Sequence, residues 1–192
     1  MTNNDDVYYI KKTLDGDSAS FGFLVDKYQN MVFTLAIKML KHREDSEEVS
    51  QDAFIKAYKS LSRFNGESKF STWLYRIAYN TCLDRIKKNS KFINDVELNE
   101  VTSNEVFQAS TVFDSLEKKE RSVIIQECMN KLPEDERAII HLFYFEELSL
   151  KEIIEVVSIS EGNLKMKLYR ARKKLFSIFK KSVEPEIYNS YE

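Results

Sequence analysis

A run of basic residues near the end of the chain has the spacing of a nucleic-acid-binding helix. From Ser160 to Lys181, eight lysines and arginines stand against the single acid Glu161. They avoid an apolar stripe of helical period and would cover the rest of a helix surface. Cations neutralise phosphates, and residues in the first turns of a helix can reach base edges in a major groove. The alternative is a solvated basic face. The apolar stripe is Leu164, Leu168, Ala171, Leu175 and Ile178.

The segment FNGESKFSTWLYRIAYNTCLDRIKK, residues 64–88, combines aromatic, amide and cationic side chains and holds the only tryptophan. At about 100° per residue, Leu74, Ile77, Ala78 and Thr81 form the predicted buried face, and Tyr75/Tyr79 and Arg76/Asn80 form two neighbouring ridges beside it. Aromatic rings stack on unpaired bases, an amide can read a Watson–Crick edge, and arginine holds the backbone. The pattern therefore indicates single-stranded nucleic acid. The alternative, that the aromatics fill a core, is favoured for Phe70 and Trp73.

A third segment, from Glu44 to Tyr58, is strongly acidic on one side. Val49, Ala53 and Ala57 share the opposite face of a predicted helix, which leaves the acids outside. Such a face is either solvated or a docking surface for a basic partner, and composition alone favours the solvated interpretation.

The elements that carry these residues are predicted to be helices throughout. Four glycines and two prolines leave little turn material for many short strands, and the apolar spacing is helical. We expect an all-α fold of two small helical domains, residues 1–90 and 123–182, joined by an acidic flexible linker over 91–122 and followed by a tail, 183–192. The first domain has helices near 5–14, 18–40, 45–61 and 71–88, the last one with Ser71 or Thr72 as N-cap.

The second domain contains two helix starts close together. Ser149 and Glu152 have the spacing of a capping box, which predicts a short helix over about 150–157, and Ser160 is placed to cap a second, longer helix. Pro133 fits the first position of a preceding helix, because its missing N–H would be unbonded there. A short helix, a tight turn and a longer helix are the outline of a helix-turn-helix.

The sequence lacks the residue patterns that other classes of function require. There is no phosphate-binding glycine loop, metal-ligand cluster or nucleophile constellation, so we expect neither an enzyme nor a bound metal or cofactor. Cys82 and Cys128 stand far apart, which indicates reduced thiols. No apolar run approaches the roughly 20 residues that span a bilayer, and the polar start has no signal peptide, so we expect a cytoplasmic protein without membrane insertion.

Taken together, the segments resemble the extracytoplasmic-function (ECF) group of bacterial sigma-70 family sigma factors over nearly the whole chain. The stretch EDSEEVSQDAFIKAYKSLSRFNGESKFSTWLYRIAYNTCLDRIKK resembles the family's region 2, and KLPEDERAIIHLFYFEELSLKEIIEVVSISEGNLKMKLYRARKKL resembles its region 4. The resemblance implies a subunit that binds core RNA polymerase and directs promoter-specific transcription initiation. It implies contacts with the beta-prime clamp helices and the beta flap, and promoter DNA as a partner. An anti-sigma factor, often membrane-anchored in this family, is a further implied partner.

The resemblance also assigns residues. For the opened −10 strand, with one base flipped into a pocket, they are Phe64, Lys69, Trp73, Tyr75, Arg76, Ile77 and Asn80. For the −35 duplex they are Ser160, Lys165, Met166, Lys167, Tyr169, Arg170, Arg172 and Lys173. For core polymerase they are Asp45, Glu48, Gln51, Asp52 and Phe54. The alternative is an operator-binding helix-turn-helix regulator that acts without polymerase; it gives the single-strand segment and the acidic helix no role.

Overall fold

The computed structural model describes the backbone of residues 4–90 and 118–189, and the side chains of 4–89 and 123–181. These ranges contain helices and turns and no strand, which confirms the all-α prediction. A single 3-10 turn, Leu61–Arg63, lies between the third and fourth helices. The helices are α1 (Asn4–Leu14), α2 (Ser20–Leu40), α3 (Arg43–Ser60), α4 (Phe70–Ser90), α5 (Lys118–Asn130), α6 (Glu134–Tyr144), α7 (Leu150–Val157) and α8 (Glu161–Asn189).

The N-terminal unit is built from α1 to α4, which pack their apolar stripes together. On α3 the predicted stripe is confirmed, since Val49, Ala53 and Ala57 are all buried. Helix α1 is fixed through a buried carboxylate, Asp6, which accepts hydrogen bonds from Lys27 Nζ at 2.6 Å and Tyr28 Oη at 2.7 Å. A buried carboxylate without such partners would cost several kcal/mol, so this network keeps α1 on α2.

Helix α4 begins at Phe70, so the predicted N-cap at Ser71 or Thr72 is wrong. Both residues lie in the first turn, where the Trp73 N–H already donates to the Lys69 carbonyl at 3.1 Å. The reason is packing, because the fully buried Phe70 ring lies against Tyr28 and fixes the start of the helix. Burial of a large aromatic outweighs the roughly 1 kcal/mol of an N-cap.

The C-terminal unit comprises α5 to α8 and contains the predicted helix-turn-helix. The capping box is confirmed, because the side chain of Ser149 accepts from the Glu152 N–H and Glu152 accepts from the Ser149 N–H. Helix α7 ends at Ser158, whose φ of +54° is left-handed, and its N–H donates to the Ile154 carbonyl at 2.8 Å. Ser160 then caps α8 by accepting from the Asn163 N–H at 3.3 Å.

Two boundaries differ from the prediction. Helix α5 begins at Lys118, five residues before the predicted start of the second domain, and α8 continues to Asn189 through most of the predicted tail. The rest of the predicted linker, 91–117, lies outside the described residues. Within the described ranges, no helix is both long and apolar enough to cross a bilayer.

The two units pack against each other through two seams. Helix α2 contacts α6, and α4 contacts α7. The buried apolar residues of both units form one continuous core. The sequence patterns did not predict this contact, because each apolar stripe already had a partner within its own unit.

Next to the α2–α6 seam, His141 is buried with its Nε2 3.2 Å from Glu146 Oε1. Burial lowers the pKa of His141, and Lys38 adds to this effect while Glu146 opposes it. The unfolded chain therefore binds the proton more readily than the folded chain, and stability contributed by neutral His141 is lost as the pH falls below the ordinary histidine value of about 6.5.

We expect the free energy of unfolding to fall between pH 7.5 and 5.5, with a slope of up to about 1.4 kcal/mol per pH unit below pH 6.5. Urea unfolding at several pH values measures it. His141→Gln should remove most of this slope, whereas His42→Asn, which keeps a side chain able to cap α3, should retain it. Glu152 does not interfere, because its pKa of about 2 places its titration below this window.

Candidate nucleic-acid interface

Helix α8 presents the predicted base-reading residues on one accessible surface. Leu164, Leu168 and Ala171 are buried and anchor the helix in its unit. Tyr169 and Met166 are 59% and 49% exposed and are therefore accessible to a partner. Of the predicted −35 residues, Ser160, Lys165, Arg170 and Arg172 are also exposed, and Lys167 and Lys173 are half-buried.

Several cations of this surface are held in place by neighbours. Lys165 pairs with Glu161 at 2.6 Å, and Lys167 pairs with Asp135 of α6. The guanidinium of Arg172 lies over the rings of Phe143 and Tyr144, at 5.5 and 5.4 Å. These cation–π contacts fix the direction of Arg172 without neutralising its charge.

Arg170 is different, because it pairs with no acid among the described residues. Its exposed guanidinium is therefore available for a bidentate contact with a base or a phosphate. Together with Tyr169 and Met166 it forms the accessible face of the recognition helix.

The second predicted surface lies on α4 and the loop before it. Arg76 and Asn80 are exposed one turn apart, and Ile77 between them is half-buried. Phe64 is half-buried and packs on Trp73, with ring centroids 5.3 Å apart. The loop that carries Phe64 and the exposed Lys69 turns at Gly66, whose φ of +76° suits only glycine well. The structure thus brings Phe64, Trp73, Arg76, Ile77 and Asn80 to one region of α4.

Tyr75 and Tyr79 depart from the expected arrangement. They were predicted as a ridge beside the buried face, yet they are 2% and 5% exposed. The reason is the contact between α4 and α7, which covers this side of α4. Burial is the main cause that raises the pKa of Tyr75 well above its usual value, and the Glu146 carboxylate adds to the effect. Burial is also the main cause that raises the pKa of Tyr79 to about 12, with a smaller contribution from Asp135.

The acidic side of α3 carries the predicted polymerase-binding residues. Asp45 and Glu48 are not free acids, because Arg85 of α4 pairs with both, at 2.6 and 2.7 Å. Hydrogen bonding and attraction to Arg85 lower the pKa of Glu48. Gln51 is exposed and Asp52 is half-buried, whereas Phe54 is only 8% exposed.

A shallow groove between α2 and α3 adds residues that the sequence patterns missed. Phe33 of α2 and the half-exposed Ile55 of α3 line it together with Gln51 and Phe54. Ile55 lies outside the buried stripe of α3 and four residues after Gln51, so the two side chains are neighbours on the helix surface. This spacing was the one signal in the sequence that could have placed Ile55 at the groove. Arg85 could not have been found in this way, since it lies forty residues from Asp45 along the chain.

These features are those of a helical nucleic-acid-binding protein, in which the first helix of a capped helix-turn-helix packs on α4, the helix that carries the aromatic and cationic surface. Comparison with known proteins identifies the family. Residues 24–92 match the model of sigma-70 region 2, and residues 114–175 match the model of sigma-70 region 4.

Curated relatives match nearly end to end. The ECF RNA polymerase sigma factor SigW of Bacillus subtilis is 38% identical over 172 residues, which is 86% of this chain and 92% of SigW. The RNA polymerase sigma-H factor of Pseudomonas aeruginosa is 31% identical and covers 90% of this chain and 92% of its own length. The chain therefore belongs to the ECF group of the sigma-70 family, whose members direct RNA polymerase to promoters.

Two solved structures share the fold. CnrH, solved with the cytosolic domain of CnrY, gives a TM-score of 0.64 at 21% identity and covers 92% of this chain and 98% of its own. The sigma factor RpoE of Bartonella quintana, solved with the anti-sigma factor NepR, gives 0.62 at 19% identity and covers 83% and 96%. Membership of the family excludes the operator-binding alternative, because regions 2 and 4 both match.

Proposed function

We propose that the N-terminal unit binds core polymerase and reads the opened −10 strand, while the C-terminal unit reads the −35 duplex. We assign the N-terminal unit to residues 1–90 and the C-terminal unit to residues 123–182, with the helices at its two ends continuing beyond these bounds. The observation that carries the proposal is the exposed pair Arg76 and Asn80, which lie one turn apart on α4 with the half-buried Ile77 between them, while Phe64 packs on Trp73 one turn before Arg76. An amide and a guanidinium near half-buried apolar side chains suit a flipped base and its phosphate.

On this proposal Phe64 and Ile77 enclose the flipped base and Asn80 accepts and donates hydrogen bonds at its edge. Trp73 supports Phe64 by packing, and Arg76 holds the adjoining strand. Lys69 and Tyr75 complete the −10 surface once the contact with α7 is removed.

For the −35 duplex, the exposed face of α8 enters the major groove. Lys165, Met166, Tyr169 and Arg170 face the bases, and Met166 suits a thymine methyl group. Arg172, oriented by its aromatic neighbours, contacts a phosphate together with Ser160, Lys167 and Lys173.

Core polymerase docks on the acidic side of α3. Gln51 and Asp52 contact the clamp helices directly, while Phe54 forms the floor of the α2–α3 groove. Asp45 and Glu48 also contact the clamp helices after Arg85 has released them. Arg85 then pairs with carboxylates of the docked polymerase surface. The C-terminal unit contacts the flap.

We also propose an anti-sigma factor as a partner, since CnrH and RpoE were both solved with a bound protein and RpoE's is an anti-sigma factor. Such a partner can be membrane-anchored, while this chain acts in the cytoplasm. As a sigma factor it contributes binding and strand opening and has no catalytic residue of its own.

Reconstituted transcription with bacterial core polymerase tests the proposal. Asn80→Ala should reduce open-complex formation on duplex promoters roughly 2- to 13-fold, the loss expected for one neutral hydrogen bond. Permanganate reactivity of the −10 thymines measures opening. Core binding, measured by fluorescence anisotropy, should remain unchanged.

Asn89→Ala is the matched control, because it removes an exposed amide from the far end of the same helix. Its amide donates to Asp45 at 3.5 Å, so core binding is measured for this variant too and strand opening is compared at a saturating concentration of the protein. It should leave strand opening at the wild-type level. Loss of core binding in Asn80→Ala, or equal loss of opening in both variants, would contradict the −10 assignment.

A further inference from the structure

Three rings, those of Phe64, Phe70 and Trp73, form an aromatic cluster at the proposed −10 surface. Their centroids lie 5.3 to 5.6 Å apart. Tyr28 of α2 packs on this cluster, because its ring centroid lies 5.5 Å from that of the fully buried Phe70. Neither α1 nor α2 carries a residue assigned to the −10 strand, so the contact of Tyr28 links a further helix to the site.

The Tyr28 hydroxyl is bound to a buried carboxylate of α1. Its Oη donates to Asp6 Oδ2 at 2.7 Å, and Lys27 Nζ donates to Asp6 Oδ1 at 2.6 Å. The same ammonium lies 5.2 Å from the centroid of the Tyr28 ring. Asp6 is 2% exposed, and these two hydrogen bonds compensate the cost of burying its charge. Burial is the main cause that raises the pKa of Tyr28, and Asp6 adds to the effect, so the hydroxyl remains a donor at neutral pH.

Helix α1 also contacts the segment that leads into Phe64. It packs on the 3-10 turn Leu61–Arg63, which Phe64 follows directly. The Phe64 N–H donates to the Leu61 carbonyl at 3.0 Å, which fixes the direction in which the chain leaves the turn. Helix α1 therefore supports two members of the aromatic cluster by separate contacts, Phe70 through Tyr28 and Phe64 through the turn.

We propose that Asp6 and Tyr28 are positioning residues of the −10 site: through Phe70 they hold the aromatic cluster in the arrangement that receives the flipped base. The inference rests on the proposed −10 function of α4. Side chains that become ordered only when a base arrives would add to the cost of unstacking that base. Hydrogen bonds behind the binding residues fix the pocket in advance. Helix α1 thus takes part in strand opening without touching the strand.

Promoter opening by the reconstituted holoenzyme tests the role of the Tyr28 hydroxyl. Tyr28→Phe keeps the ring and removes the hydrogen bond to Asp6, so open-complex formation should fall about two- to fivefold, within the range of one lost hydrogen bond. Tyr28→Leu also removes the contact with Phe70 and should reduce opening by about a further two- to fivefold. Permanganate reactivity of the −10 thymines measures opening at a temperature where each variant remains folded.

Tyr8→Phe is the matched control, because it removes a hydroxyl from an exposed tyrosine of α1 whose ring contacts Tyr9. It should open promoters as well as the wild type. Core binding, measured by fluorescence anisotropy, should be unchanged in all three variants. Wild-type opening by Tyr28→Leu, or opening reduced equally by Tyr8→Phe and Tyr28→Phe, would overturn the proposal.

Asp6→Ala distinguishes positioning from a general loss of stability in α1. It should impair opening at least as much as Tyr28→Phe, and the double variant should lose no more than Asp6→Ala alone, since both changes remove one hydrogen bond. Thr13→Val is the control, because it removes another buried polar group of α1, whose hydroxyl donates to the Tyr9 carbonyl at 2.7 Å within the same helix. Strictly additive losses for Asp6 and Tyr28, or an equal loss for Thr13→Val, would refute the positioning role.

Trp73, the only tryptophan, reports on the aromatic cluster in the free chain without DNA. Tyr28→Leu and Asp6→Ala should raise the rate at which acrylamide quenches its fluorescence, whereas Thr13→Val should leave the rate unchanged. An unchanged rate in Tyr28→Leu would show that Tyr28 does not hold the cluster.

The same variants separate this proposal from the −10 assignment. If quenching rises in Tyr28→Leu while both Tyr28→Leu and Asn80→Ala open promoters normally, Tyr28 holds the cluster but the −10 assignment fails. If Asn80→Ala impairs opening and Tyr28→Leu does not, the −10 assignment stands and the positioning role of Tyr28 fails.

Discussion

Arg170→Ala should weaken binding to a −35 duplex by about 1 to 3 kcal/mol, or about 5- to 150-fold, and should relax the preference at one base pair. Arg170 is exposed on α8 and pairs with no acid among the described residues, so its guanidinium is free for a bidentate base contact. The substitution breaks no salt bridge between residues that the structure describes, and we expect folding to be unaffected. Transcription from a promoter library randomised at the −35 element measures affinity and preference together.

Lys173→Ala provides the comparison, because Lys173 is assigned to a phosphate. Its loss should weaken all promoter sequences alike and reduce the dependence of binding on salt by about one unit of slope. The two variants should therefore have different effects: Arg170→Ala changes the base preference, whereas Lys173→Ala lowers the affinity for all sequences. If Arg170→Ala also weakened all sequences alike, Arg170 would be a phosphate contact and the orientation of α8 in the groove would have to be revised.

The features that the sequence predicted correctly are local ones. The capping box of Ser149 and Glu152 spans three residues, and the stripe of Leu164, Leu168 and Ala171 spans two turns of one helix. Both depend on spacing within a single element, and spacing is what a sequence pattern contains. The exposed positions of Arg76 and Asn80 follow from the same periodicity.

What the sequence did not predict depends on contacts between distant residues. Tyr75 and Tyr79 are buried in a core that α4 shares with the C-terminal unit, some seventy residues further along the chain. Asp45 and Glu48 both form ion pairs with Arg85, which belongs to another helix. Helical spacing gives the face on which a residue lies but not the partner that covers this face.

These contacts determine which of the predicted site residues are accessible in the free chain. Among the residues proposed for the −10 strand, Tyr75 is buried in the free chain while Arg76 and Asn80 are accessible. On the proposed function, a promoter strand therefore meets Arg76 and Asn80 first.

Phe70→Ala should lower the free energy of unfolding by about 3 to 5 kcal/mol, the usual cost of removing a fully buried phenylalanine. The ring is completely buried, and its centroid lies 5.5 to 5.6 Å from those of Tyr28, Phe64 and Trp73. Its loss leaves a cavity beneath the two aromatics that form the −10 surface. Urea unfolding followed by tryptophan fluorescence measures the change, and Trp73 as the only tryptophan reports on this site directly.

Phe23→Ala is the matched control, because Phe23 is the same residue type but is largely exposed and contacts mainly Tyr9, with stacked rings 4.5 Å apart. It should cost no more than about 1.5 kcal/mol, the contribution of one aromatic pair. Phe70→Leu should fall between the two, since it retains most of the apolar volume. Similar losses of unfolding free energy for Phe70→Ala and Phe23→Ala would mean that Phe70 does not hold Phe64 and Trp73 in place. In that case the Phe70→Ala variant, at a temperature where it remains folded, would open promoter DNA as well as the wild type.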